Sequence, residues 1–222
     1  MEPGKRMVGK MNKPNNKVPR DYLAICVFVT VLIGLAVCSY YLVRTSNKDS
    51  IANQVKLVSK WLQEKYSALE KKEAEDYLSR AHELYSKENY GKALREYDKA
   101  IQADQNNFKA YFWRGRTYIR VEQYDNAIID FKRVIKLKAD YVPAYDNLGW
   151  LYSQRGEYDE SISYLTKSVE LEPENGWAYF HRGRNFFFKG DQDKALRDAE
   201  QSCRLGYQRG CRIYQEYKES EP

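Results

Sequence analysis

Three patterns of apolar and polar positions follow one another along the chain. The first is an uncharged run over residues 22–43, rich in Val, Leu, Ile and Ala and bracketed by Asp21 and Arg44. As a helix rising about 1.5 Å per residue, the run would measure roughly 33 Å, enough to cross the hydrocarbon layer of a bilayer. Tyr22, Tyr40 and Tyr41 stand at its ends, where amphipathic rings favour the membrane–water boundary. The pattern predicts one transmembrane helix over residues 22–43. Two other fates are open to the run. One is cleavage as a signal peptide after Ser39, and the other is lipid anchoring at Cys38 in Leu35-Ala36-Val37-Cys38, although Val37 is too large for that motif. All three leave the rest of the chain, from residue 44 on, on one side of a membrane.

The second pattern covers residues 44–73. Ile51, Val55, Val58, Leu62, Tyr66 and Leu69 fall three or four apart, with Lys, Gln, Glu and Ser between them. This predicts an amphipathic connector helix. It either packs on the open edge of the domain C-terminal to it or pairs two copies of the chain through residues 46–73.

The third pattern begins at Ala74 and returns every 34 residues. Its fourth position holds Tyr77, Tyr111, Tyr145 and Tyr179, and its eighth holds Ala81, Gly115, Gly149 and Gly183. The eleventh holds Leu84, Tyr118, Tyr152 and Phe186, and the twentieth Ala93, Ala127, Ser161 and Ala195. At the twenty-fourth stand Tyr97, Phe131, Leu165 and Ala199, and at the twenty-seventh Ala100, Val134, Ser168 and Ser202. Small residues at positions 8, 20 and 27 let two antiparallel helices approach closely, and large ones fill the space around those contacts. A turn near position 15 separates the helices, with Gly156 and Gly190 available to make it.

These columns resemble the tetratricopeptide repeat (TPR), a 34-residue helix–turn–helix unit. The resemblance implies an all-α, right-handed α-solenoid of four repeats, over residues 74–107, 108–141, 142–175 and 176–209. A capping helix over 206–218 would cover the last repeat, whose outer face cannot be buried alone. Near that cap, Cys203 and Cys211 lie in a stretch that looks like the linker of Sel1-like repeats. That likeness implies a disulfide between them, and two buried thiols are the alternative. The TPR resemblance also implies where partners bind. Positions 2, 5, 9, 12 and 13 line a concave groove. For the second to fourth repeats they include Phe112, Arg116, Ile119, Arg120, Pro143, Asp146, Trp150, Trp177, Phe180, Arg184, Phe187 and Phe188, with His82 and Tyr85 from the first. Of Phe187 and Phe188, one is expected exposed and the other buried. Co-chaperones of the family grip a terminal carboxylate with a lysine and an asparagine at positions 5 and 9 of their first repeat. Here Leu78 and His82 occupy those positions, so that subtype is excluded.

Charge and composition narrow the picture. Residues 1–21 form a Pro- and Asn-containing tail, expected to be disordered, that carries six basic residues and two acids of a chain with net charge +6. The rest is close to neutral, which argues against a nucleic-acid partner. After the apolar run, Arg44, Lys48, Lys56 and Lys60 are the nearby basic residues, so the bias favours a cytoplasmic N-terminus. The repeats then lie outside the cytoplasm, in the periplasm of a bacterium, and a repeat domain facing the cytosol is the alternative. No phosphate-cradling glycine loop or metal-ligand spacing stands out. His82 and His181, the two histidines, fall in different repeats. No cofactor, metal site or catalytic group is expected. The expectation is a membrane-anchored scaffold that binds a protein or peptide, and its alternative is self-assembly without a separate client.

Overall fold

A computed structural model describes residues 48–219. The predicted transmembrane segment 22–43 and the tail 1–21 lie outside the described residues. Among those described, no helix is long and apolar enough to cross a membrane. The chain divides into two compact units, residues 1–64 and 65–222. All regular structure in the described residues is helical: α1 (Lys48–Ser86), α2 (Tyr90–Ala103), α3 (Phe108–Arg120), α4 (Tyr124–Leu137), α5 (Val142–Gln154), α6 (Tyr158–Leu171), α7 (Gly176–Phe188), α8 (Gln192–Arg204) and α9 (Gln208–Glu219).

The described part of the first unit is the beginning of α1. It exposes Val55, Leu57 and Val58, the last at 55%. The sequence pattern separates a connector over 44–73 from a first repeat starting at Ala74, but α1 runs through that boundary unbroken. Glu70-Lys71-Lys72-Glu73-Ala74-Glu75 holds no glycine, proline or capping residue, and nearly every member favours helix. In the described residues the connector and the first helix of the first repeat are one continuous helix. In the second unit, Leu69 on the same stripe is 60% exposed.

The second unit is a stack of helix hairpins: the end of α1 with α2, α3 with α4, α5 with α6, and α7 with α8. From α2 onward each helix packs on its neighbour in sequence, and α9 packs on α8 and α7. The small columns set the closeness of each pair. A Cβ added at Gly149 would lie 2.5 Å from Leu165 Cγ, and one at Gly115 would lie 3.1 Å from the Phe131 ring. Ala81, Ala93, Ala100, Ala127 and Ala195 are fully buried, as are the large residues Tyr97, Phe131 and Leu165.

One turn recurs. Glu88, Glu122, Gly156 and Gly190, all at position 15, have φ of 57°, 60°, 74° and 82°. In each copy the next residue's N–H donates back to the carbonyl five residues earlier: Asn89 to Leu84, Gln123 to Tyr118, Glu157 to Tyr152 and Asp191 to Phe186. This is the Schellman closure of a helix, which needs a left-handed residue before the donor. The first two repeats place glutamate there, against its steric preference. Where the next repeat starts, Asn107 and Asn175 accept from the N–H groups of Ala110 and Ala178 and so cap α3 and α7.

A column absent from the sequence pattern ties the hairpins together. Arg114 on α3 donates two bonds to Asp130 on α4, at 2.6 and 2.8 Å, and a third to Asp98 on α2 at 2.7 Å. Two repeats later Arg182 does the same with Asp198, at 2.7 and 2.8 Å, and with Thr166 at 3.2 Å. Arg80 and Glu96 hold the equivalent places in the first repeat, 3.9 Å apart. Burial works to lower the pKa of the Arg114 guanidinium, but bonds to Asp130 and its charge, with Asp98, raise it overall. In the third repeat the pair is replaced by Leu148, which is fully buried, and Tyr164, which stacks on Tyr152.

Candidate functional site

The concave positions of α3 and α5 meet the end of α1 and the start of α7 around an open cleft of about 580 Å³. Its lining contains Arg116, Ile119, Arg120, Trp150 and Trp177, together with Tyr85, Pro143, Asp146 and Asn147. Helical periodicity explains the set. Arg116, Ile119 and Arg120 are three and four apart on α3, and Pro143, Asp146, Asn147 and Trp150 repeat that spacing on α5.

The cleft is electrically lopsided. Arg116 lies over the Trp113 ring at 4.7 Å. Arg120 lies 5.9 Å above Tyr90, whose hydroxyl accepts from its Nε at 3.3 Å. Among the described residues neither guanidinium forms an ion pair. Asp146 is the one carboxylate in the lining, and its oxygens are engaged. Ser168 donates to it at 2.5 Å and the Asn175 amide at 3.0 Å. Burial raises its pKa, and those two hydrogen bonds work against the rise. Asp146 thus ties α5 to α6 and to the cap of α7. A second polar chain lies deeper: Ser153 donates to Asn185, Asn185 to Ser161, and Ser161 to the Gly149 carbonyl.

Phe112, Phe180, Arg184, Phe187 and Phe188, also predicted for the groove, lie outside the cleft lining. Phe112 and Phe180 are each 6% exposed and are not groove surface. Phe112 meets Tyr141 and Phe131 edge-on at 5.1 and 5.7 Å, while Phe180 meets Tyr207 at 5.2 Å. In the second and fourth repeats position 5 therefore turns toward a neighbouring element of the stack and is covered by it, whereas Asp146, at the same position of the third repeat, lines the cleft. Arg184 sits outside the cleft, over Phe180 and Phe188. Phe187 stacks on Tyr217 of α9 with ring centroids 4.4 Å apart, and Phe188 stacks on Tyr158 at 5.3 Å. Both phenylalanines remain partly exposed, so the expected split of one buried and one exposed does not occur. Asn147 is the cleft residue that the position rule does not include. Its side-chain amide donates to the Pro143 carbonyl, and only its place beside Asp146 hints at its exposure to the cleft.

The histidines are structural neighbours of tryptophans. His82 packs edge-on to Trp113 and Tyr97, and His181 lies 4.0 Å from Trp177. Burial, with the charges of Arg184 and Arg209, pushes His181 down to about 3. Cys203 at the end of α8 and Cys211 in α9 form a disulfide. Among the described residues no group of His, Cys, Asp and Glu is arranged to hold a metal ion.

Stacked hairpins around a cleft rich in arginine and tryptophan define a helical-repeat scaffold. Comparison with known families agrees. Residues 81–121 match a TPR repeat family, and residues 108–141 and 142–175 match a tetratricopeptide repeat family. Residues 81–175 are thus tetratricopeptide repeats. Solved structures of similar fold include MamA, at 22% identity over 66% of this chain and 86% of that one, with a TM-score of 0.59. They also include a 41-end form of MamA from Desulfovibrio magneticus RS-1, at 17% identity over 66% and 90%, with a TM-score of 0.59. At these identities the likeness is one of fold. No curated protein matches the sequence.

Proposed function

We propose that the chain is a single-pass membrane protein that displays its repeats outside the cytoplasm and holds a protein or peptide partner in the cleft. The observation that carries the binding reading is the cleft itself: two arginines without ion pairs among the described residues, beside two partly exposed tryptophans, at positions where TPR proteins in general meet partners. Anchoring through residues 22–43 is supported by their length and lack of charge. The side of the membrane is supported by the basic tail and by the Cys203–Cys211 disulfide, which persists in oxidising compartments. The protein has no proposed catalytic role.

The test of binding is in-cell crosslinking of the full chain followed by pull-down, with an Arg116→Gln/Trp150→Ala variant as control. Captured partners should disappear in the variant; an unchanged set of partners rules out the cleft. Topology is tested with a membrane-impermeant thiol reagent applied to intact cells or spheroplasts after reduction. Labelling of Cys203 and Cys211 supports an extracytoplasmic domain, and protection of both places it in the cytosol. A second reading, self-assembly through residues 46–73, is favoured by the exposure of Val55 and Val58 on α1. A monomer at all concentrations by light scattering would sink it.

A further inference from the structure

The charges around the cleft also say what kind of segment it would hold, provided the cleft is a peptide site. Arg116 and Arg120 are one helical turn apart on α3. Like charges at that spacing repel, so the free protein gains nothing from their closeness. Several other arginines of the helix pairs are spent internally: Arg80, Arg114, Arg155, Arg182 and Arg204 all reach a carboxylate. Arg116 donates no side-chain hydrogen bond among the described residues, and Arg120 donates one, to Tyr90. Both nonetheless have an aromatic neighbour: the Arg116 guanidinium lies over the Trp113 ring, and Arg120 reaches the Tyr90 hydroxyl. The N–H groups of Arg116, and those of Arg120 other than Nε–H, are left for a planar anion such as a carboxylate. Asp146 accepts from Ser168 and Asn175 and forms no ion pair with either arginine among the described residues. The same cavity carries Ile119, Pro143, Trp150 and Trp177, which offer apolar area and ring faces.

We propose that the cleft recognises a protein segment with an aspartate or glutamate close in sequence to a bulky apolar residue. The carboxylate bridges Arg116 and Arg120, and the apolar side chain lies against Trp150 and Trp177. Electrostatic complementarity favours this over a basic segment. The near-neutral charge of the chain outside its basic tail favours it over a nucleic acid, whose phosphates need a longer basic track.

The probe is an array of random octapeptides, incubated with the full chain in detergent micelles. Bound peptides are expected to be enriched in Asp or Glu near Leu, Ile, Phe or Trp. An Arg116→Gln/Arg120→Gln variant should lose about tenfold or more in affinity for the best of them and lose the acidic preference. Trp150→Ala should weaken the apolar preference and keep the acidic one. The Arg116→Lys/Arg120→Lys variant keeps the charge without the planar fork and should fall between. Circular dichroism of each variant separates a binding defect from unfolding. Enrichment of neutral or basic apolar peptides overturns this inference while leaving the cleft a peptide site. No binding above a Gly-Ser control overturns the peptide-site reading as well. Tighter binding of a single-stranded oligonucleotide, lost in the arginine-to-glutamine variant, makes the pair a phosphate site and overturns the acidic-segment proposal.

Discussion

Arg114 and Arg116 stand two residues apart on α3 and do opposite things. Arg114 points between hairpins, where Asp130 and Asp98 absorb its donors and the Asp130 side chain is 2% exposed. Arg116 faces the cleft over Trp113 and forms no ion pair among the described residues. The same chemistry therefore serves cohesion on one face of the helix and is left available on the other. A helix turns about 100° per residue, so two positions suffice to move a charge from a buried junction to an open surface. Arginine counts carry little functional information for this reason, whereas the pairing of each arginine carries a great deal.

The contrast is most exposed at the junction. Arg114→Ala should leave Asp130 buried without its partner and cost about 3–5 kcal/mol of stability, measured by urea unfolding. A loss under ~1 kcal/mol would mean that the pair is cosmetic and that the two faces differ less than their geometry indicates. The third repeat lacks this ion pair, and its close packing depends on Gly149. Gly149→Ala drives a methyl group into Leu165 and should cost about 1–3 kcal/mol in the same assay.

Next comes pH. His181 titrates at about 3 when folded and at an ordinary 6.5 when unfolded. Its contribution is complete above pH 6.5 and is lost as pH falls toward 3, because only the unfolded chain takes up the proton readily. The carboxyls of Asp130 and Asp146, raised chiefly by burial, act in the opposite sense. The readout is therefore the difference between parent and His181→Gln: the variant's midpoint should fall less steeply from pH 6.5 downward. Parallel curves would show that His181 is not the proton acceptor.

A smaller, stabilising effect is expected at the turns. Glu122→Gly relieves a left-handed glutamate and should add about 0.5–1 kcal/mol, bringing the second repeat into line with the third and fourth. The smallest effect on folding belongs to the cleft: Arg120→Gln should leave the unfolding midpoint unchanged while weakening partner capture. A stability loss comparable to that of Arg114→Ala would erase the distinction between the two faces.

Much of this architecture is legible in one sequence. A 34-residue period with small residues at three fixed positions leaves two helices few other ways to pack. The position rule implied by the TPR resemblance also places Arg116, Ile119, Arg120, Trp150 and Trp177 on one surface, and helical periodicity keeps the residues of each helix on a common face. It fails at Phe112 and Phe180, since periodicity cannot tell whether a face ends in solvent or beneath the next element. It is silent on the column of Arg80, Arg114 and Arg182 with Glu96, Asp130 and Asp198, because those charges read as surface residues until a neighbouring helix buries them. It also divides α1 at Ala74 on the strength of the repeat frame, where the local residues give the helix no reason to stop.

The sequence by itself determined the number of hairpins, their close contacts and the turn near position 15, because these follow from side-chain size and periodicity within one repeat. Only the tertiary structure decided which arginines are neutralised and which remain available to a partner. That depends on distances between side chains sixteen or more residues apart, which are set when the hairpins stack.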